Sequence, residues 1–369
     1  MKKKGFWVSV WLICASLGLS AGAAAAIYDF SDLGTLPGNS SSQAWNLNDN
    51  RQVVGRSFDT GLEDSMAFSW TLTGGLQPLG NIGGPYSFSY GVNKMGDVVG
   101  LAKTSGVPEL AFYWPLGGLI TALPYLDSPN PYSRAYAINA TRAVAGFSNN
   151  EMSSMKACVW WDPTSPNPPQ NLGNLTGELT DVSVAYGIND NFLVVGSSVD
   201  GTGKDRPISW TSTNGMKDLG ALGGTSGVAR AVNNRGVAVG GADNPDGDRE
   251  AFSIDLSTLA PVMEGLGGLG GRGTFSSLNT ISYAQGVNDA GQVVGLSFDS
   301  SNQLAAFLWT KDYGMQDLNK LVVNLPPGVV LARACAINSR GDIAGYTLDN
   351  RAFLLTRKGA SVPSLLLLD

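Results

Sequence analysis

Ala284-Gln285-Gly286-Val287-Asn288-Asp289-Ala290-Gly291-Gln292-Val293-Val294-Gly295 decides the fold of this chain. An apolar residue leads into Asn288, an Asn-Asp-x-Gly turn follows, and Val293-Val294-Gly295 resumes the apolar run. Glycine supplies the positive φ that such hairpin turns need, so the stretch reads as two short antiparallel strands. The pattern recurs as Leu47-Asn48…Val54-Gly55, Val92-Asn93…Val99-Gly100, Ile138-Asn139…Ala145-Gly146, Ile188-Asn189…Val195-Gly196, Val232-Asn233…Val239-Gly240 and Ile337-Asn338…Ala344-Gly345. With the copy at Asn288 that makes seven, the Asn always seven residues before the Gly and successive copies 44 to 55 residues apart. Self-similarity at such a period marks a repeat architecture.

Working outward, each copy is followed by Ala-Phe-x-Trp or a relative of it. Ala67-Phe68-Ser69-Trp70, Ala111-Phe112-Tyr113-Trp114 and Ala306-Phe307-Leu308-Trp309 are the clearest, and Pro207-Ile208-Ser209-Trp210 is the most altered at its first position. Its large side chains stand two apart, hence on one face of a third strand. A Leu-Gly segment such as Leu79-Gly80 or Leu219-Gly220 closes most units as a fourth. Four short strands per unit of 44 to 55 residues is a β-propeller pattern. The predicted fold is therefore all-β, a single seven-bladed β-propeller of four-stranded blades over residues 27–357. The segment 28–34 (Tyr28-Asp29-Phe30-Ser31-Asp32-Leu33-Gly34) is a fourth strand without a blade, and the last unit is a blade without a fourth strand. Pairing 28–34 with 351–356 closes the ring and removes two exposed edges.

Finer expectations follow. Four residues before each Asn stands Ala or, once, Ser89, as strands crowded at an axis require. The residue just before Asn is Leu, Val or Ile, and plain alternation puts it on the opposite face. Where the turn lacks Gly, Asn50 and Asn191 are expected in the left-handed region.

Composition limits the chemistry. The 369 residues contain no histidine, which excludes Ser-His-Asp and Cys-His nucleophiles, imidazole bases and His-ligated metals. Three cysteines without a Cys-x-x-Cys pair form no disulfide framework or zinc site. Lys2-Lys3-Lys4, the apolar run from Phe6 to Ile13 and Ala24-x-Ala26 read as a signal peptide over residues 1–26. The mature chain then carries 21 basic against 30 acidic residues, a net charge of −9, which disfavours nucleic acid. Residues 358–369 read as a C-terminal tail. The expected product is secreted, periplasmic or extracellular, monomeric and not inserted in a membrane after cleavage.

Ala-Phe-x-Trp combined with Ile-Asn-Asp-x-Gly-x-Val-Val-Gly and Asp-Leu-Gly resembles the HAF repeats of bacterial extracellular repeat proteins, over residues 28–355. The resemblance implies a secreted propeller-type scaffold and carries no activity with it. The histidine that names those repeats is replaced here by Met66, Leu110, Lys156, Arg206, Glu250, Ala305 and Arg351.

A residue present in every blade serves the blade, so function is sought where blades differ. The repeated Asn reads as a ligand or as an Asx-type turn. Trp45, Tyr90, Tyr136 and Tyr186, three before their Asn, read as an aromatic funnel for sugars or as packing between blades. Strand order puts the second-to-third and fourth-to-first connections on one face. There lie many carboxylates, the insertions Gly265 to Tyr283 and Leu321 to Leu331, and Arg134, Arg230, Arg272 and Arg333, which could oppose a carboxylate. Asp243, Asp246, Asp248 and Glu250, around Gly247, form either a Ca²⁺ loop or a solvated acidic hairpin. No other cofactor is indicated. Two functions result. The chain is a non-enzymatic scaffold binding an extracellular glycan or protein through the variable loop face, or a His-free hydrolase or lyase using Glu178 and Asp181 with Asp127.

Overall fold

The computed structural model describes residues 27–59, 65–106, 109–275 and 278–358, so the segment read from sequence as a signal peptide (1–26) and the tail beyond Lys358 lie outside the described residues. Seven sheets are arranged as a seven-bladed β-propeller. Each blade has four antiparallel strands, in sequence order in blades one to six. The sheet of blade five also carries the small strands Gly273–Phe275 and Leu278–Thr280 of the long insertion, the latter joined to it in parallel. The innermost strands run up to the repeated Asn: Ser41–Leu47, Ser87–Val92, Ser133–Ile138, Ser183–Ile188, Gly227–Val232, Ser282–Val287 and Leu331–Ile337. Each packs on the innermost strands of both neighbours. Buried clusters fill the gaps between blades, anchored by Phe68, Phe112, Phe252, Phe307 and Phe353 of the Ala-Phe-x-Trp strands. The helical content of the described residues is one 3₁₀ turn, Leu318–Lys320, and no helix there is long and apolar enough to cross a membrane.

The ring closes as expected. Tyr28–Asp32 pairs antiparallel with Ala352–Arg357, from Tyr28 opposite Arg357 to Asp32 opposite Phe353, as the outermost strand of blade seven. The insertion Leu321 to Leu331, expected to bind a ligand, instead covers the free edge of this strand. The amides of Ile27 and Tyr28 donate to the Leu321 carbonyl, and the amide of Phe30 donates to Asn324 Oδ1. An edge left bare is a template for aggregation.

Every innermost strand is broken by a β-bulge, between the residues four and two before the Asn. The bulged residues are Trp45, Tyr90, Tyr136, Tyr186, Arg230, Gln285 and Cys335. A bulge inserts a residue and re-aims its side chain. It also resets the strand's period, so the alternation expected from sequence fails. Ala135 and Ile138 share one buried cluster, as do Ala185 with Ile188 and Ala44 with Leu47. The carbonyl five before the Asn is swung across the second strand. A Cβ on the Gly of each Val-Val-Gly run would overlap that oxygen, which explains Gly at all seven positions.

The repeated Asn is a structural joint. Each Oδ1 accepts the backbone N–H groups two and four residues later, an Asx turn closing the hairpin. Each Nδ2 donates to the carbonyl of the corresponding Asn in the next blade, from Asn48 to Asn93 and onward until Asn338 returns to Asn48, at 2.8–3.4 Å. With both ends of the amide engaged, these residues hold blades together and are not ligand groups.

A second joint pairs Ser with Ala. Ser87, Ser133, Ser183, Ser282 and Ser42 each accept, through Oγ, the N–H of the Ala that begins the Ala-Phe-x-Trp motif of the preceding blade. Blade four begins that motif with Pro207, which has no N–H, and the partner position in blade five is Gly227 rather than Ser. The donor and its acceptor are absent together.

At the hairpins lacking Gly the left-handed residues are Arg51, Arg142 and Phe192, not Asn50 and Asn191. Arg51 reaches Asp342 of blade seven, and Arg142 reaches Asp97 of blade two, both at 2.8 Å. Burial works to raise the Asp342 and Asp97 carboxyls. Hydrogen bonds from Arg51, Asn338 and the Arg357 amide at Asp342, and from Arg142, the Leu116 amide and Asn93 at Asp97, outweigh it and hold both below the usual range. A folded-state value below the unfolded one, about 3.9, stabilises the ring above that pH, and the effect is lost as pH falls through the folded value. Melting temperature followed from pH 7 to pH 2 should therefore drop steeply below about pH 4, and less steeply in Asp342→Asn. Parallel curves for the two proteins would show that this pair does not carry the acid sensitivity.

Candidate functional site

The bulged side chains meet at the propeller axis, where they floor a well of about 600 Å³. Its walls are the last residues of the seven innermost strands. Its rim is the residue after each Asn: Asp49, Lys94, Ala140, Asp190, Asn234, Asp289 and Ser339. The well thus opens on the face of the repeated Asn turns, opposite the variable loops that the sequence favoured. The rim is braced by bonds between blades, the amides of Ala140, Asn234 and Ser339 donating to Asp190, Asp289 and Asp49.

The floor has two unlike halves. In blades one to four it is an arc of partly exposed aromatic rings. Trp45 meets Tyr90 at 5.9 Å between centroids, Tyr90 meets Tyr136 at 5.3 Å, and Tyr136 meets Tyr186 at 5.0 Å, all tilted or edge-on. The rings pack between blades and also line the cavity. Burial raises the Tyr90, Tyr136 and Tyr186 phenols, which stay neutral hydrogen-bonding groups.

In blades five to seven the floor is polar. The Arg230 guanidinium lies 4.2 Å from the Tyr186 ring centroid and its Nε donates to Tyr283 Oη at 3.0 Å. Arg333, five before its Asn, donates to Gln285 Oε1 at 2.7 Å and Tyr346 Oη at 3.0 Å, and lies 5.0 Å from the Trp45 ring. Among the described residues neither arginine has a carboxylate partner. A cation–π contact contributes about 0.5–2 kcal/mol, while burying an unpaired charge costs several. The rings therefore offset part of that cost and leave the positive charge in place. Arg56, against Phe58 and Phe88 on the loop side of the ring, is a third such arginine, its Nε on Gln43 Oε1. Burial pushes its guanidinium down, with the Tyr90 and Tyr346 phenols opposing.

Trp45, Tyr90, Tyr136, Tyr186, Arg230 and Arg333 are thus brought together. Arg134 is not: it lies outside the well, paired with Glu109 at 2.8 Å. The Ca²⁺ arrangement is not formed. Asp243 pairs with Arg249, Asp248 with Arg272, Glu250 accepts the Gly267 amide and Asp246 is exposed; among the described residues no three metal-binding side chains converge. The cause is competition, since each buried carboxylate already has a guanidinium. Asp127 is exposed on the connection between blades two and three. Glu178 and Asp181 lie on the next one, where Asp181 accepts from Thr176 Oγ1 and the two backbone carbonyls take Lys156 Nζ; none of the three lines the axial well.

Gln285 and Cys335, which share the position of the aromatic residues three before the Asn, complete the floor, though the sequence did not single them out as binding residues. Sequence reasoning missed Phe275. The insertion Gly265 to Tyr283 carries the hairpin strands Gly273–Phe275 and Leu278–Thr280, and Phe275 reaches the axis 5.3 Å from the Arg333 guanidinium. No local pattern marks it.

No protein-family model matches the chain, and no curated protein matches its sequence. Among solved structures it is similar to a puromycin-hydrolysing peptidase of Mycobacterium tuberculosis, with 11% identity and a TM-score of 0.52 over 92% of this chain and 52% of that one. It is similar to virginiamycin B lyase from Staphylococcus aureus, with 11% identity and a TM-score of 0.51 over 89% and 99%. The extracellular domain of a hybrid two-component system of B. thetaiotaomicron gives 9%, 0.50, 90% and 40%. The chain spans about half of the peptidase and two fifths of that extracellular domain. At such identities the likeness is one of fold alone.

Proposed function

We propose that this protein is a non-enzymatic binding module, exported through the signal read in residues 1–26, that takes part of a glycan into the axial well. One observation carries the reading. On strands otherwise built from repeated residues, the position facing the axis differs between blades, with aromatic rings on one side and hydrogen-bonding groups on the other. Sugar rings present apolar faces and hydroxyl rims, which such a floor matches, and sites of this size with a few convergent polar groups are the usual form of small-ligand pockets.

The floor also offers little for catalysis. Its side chains include no carboxylate among the described residues. Burial pushes the Cys335 thiol up to about 11, against the pull of Arg333, so it is protonated and non-nucleophilic at neutral pH. A glycan array followed by calorimetry on the mature chain tests the reading. Tyr136→Ala should weaken binding about tenfold or more, which is about 1.4 kcal/mol, whereas Asp205→Asn on the exposed loop face should leave it unchanged. The opposite pattern would move the site to the loops and end this assignment.

A further inference from the structure

We infer that the glycan taken by the axial well is acidic, its anionic oxygens held beside Arg230 and Arg333. This rests on the reading of the well as the binding site and adds the class of ligand. Three observations converge on it. Arg230 and Arg333, on the floor, have phenols, an amide and aromatic rings around them but no carboxylate among the described residues. Arg56, close beneath, has none either.

The contrast with the rest of the chain is sharp. Arg51, Arg134, Arg142, Arg206, Arg249, Arg272 and Arg351 all have an acidic partner, in a protein whose mature chain carries nine more acidic than basic residues. Carboxylates are plentiful, and among the described residues the arginines without one are the exposed Arg235, Arg340 and Arg357 and the enclosed Arg56, Arg230 and Arg333.

The second observation is a set of donors without acceptors. Arg333 Nε, Gln285 Nε2 and Trp45 Nε1 are buried and unpartnered, and all three belong to one arc of the floor, since Arg333 bonds Gln285 and lies over Trp45. Arg333 itself is 9% exposed. Unpaired buried donors and an uncompensated guanidinium both favour an acceptor that bears charge. The third observation is access, because the well opens to solvent through a rim of mostly exposed residues. Carboxylate and sulfate oxygens present the same paired acceptors to an arginine fork, so either substituent satisfies this chemistry.

The test is calorimetry of the mature chain with a galacturonic acid tetramer, a sulfated galactose tetramer and a neutral galactose tetramer. One or both acidic tetramers should bind about thirtyfold tighter than the neutral one at low salt, and the pair of acidic arms tells carboxylate from sulfate. The preference should fall to about threefold or less in Arg230→Gln and at high ionic strength. Arg333→Gln, the more buried change, should do the same, and Arg230→Gln carries the test if that variant fails to fold. Equal binding of all three tetramers overturns the inference and leaves the axial glycan site standing. An acidic preference that survives both arginine changes also overturns it. Binding of none of them overturns both statements.

Discussion

Gly146→Ala should destabilise the propeller by about 3 kcal/mol or more. Position 146 is the Gly of Val144-Ala145-Gly146, the third blade's copy of the second-strand run, and a Cβ there would overlap the Arg134 carbonyl oxygen and approach the Ala135 Cα to 3.0 Å. Both obstacles are backbone, held by the bulge at Tyr136, so no side-chain rotation relieves the clash. Relief requires undoing the bulge, which would turn Tyr136 off the axis and misalign Ile138 from its cluster. Gly201→Ala is the control: its Cβ meets nothing within 4 Å, and its effect should stay within about 0.5 kcal/mol. Chemical denaturation of the two variants measures the difference, and equal midpoints would show that the bulge does not enforce glycine.

Removing residues 27–33, so that the chain begins at Gly34, should have an effect of the same order as the stability of the whole domain. The deletion takes away five paired residues and the buried side chains of Tyr28 and Leu33, and it uncovers Phe353 and Leu355. Tyr28 is fully enclosed, and burial pushes its phenol up to about 12, against the pull of Arg357. Burying a large apolar side chain contributes about 1.5–3 kcal/mol, so losing this set approaches the 5–15 kcal/mol typical of a domain. The bared strand Ala352–Arg357 then pairs with other chains. Circular dichroism melting and size-exclusion chromatography should show an unfolded or aggregated product. A monomer melting within a few degrees of the parent would mean that the ring is held shut without this strand.

The sequence exposed the ring because the features that build it are identical in every blade. Asn48, its six counterparts and the Val-Val-Gly glycines each have one job set by near neighbours. The bulges were hidden because Trp45, Arg230 and Cys335 share a position and no chemistry; the Ala before them and the Gly across from them specify the backbone. The turns at Arg51, Arg142 and Phe192 were hidden for another reason. A left-handed residue costs about 1–2 kcal/mol, and contacts from other blades offset it, Asp342 for Arg51, Asp97 for Arg142 and the Trp161 ring at 5.6 Å for Phe192. Nothing adjacent in sequence announces those contacts. The same limit applies to the well, whose aromatic arc was visible as a pattern while its orientation, the arrival of Phe275 at the axis and the use of loop arginines as partners for acids emerged only in three dimensions.

The chain of amides linking Asn48 to Asn338 and back has a direction, every blade giving to the one after it. A row of such units with free ends would strand one donor and one carbonyl, while the circle strands none. Linear repeat proteins can shed terminal units one at a time, because each contacts only its neighbours. Here loss of any single blade disables two seams at once, so melting as one cooperative event, rather than by stepwise peeling, is the behaviour this circuit dictates.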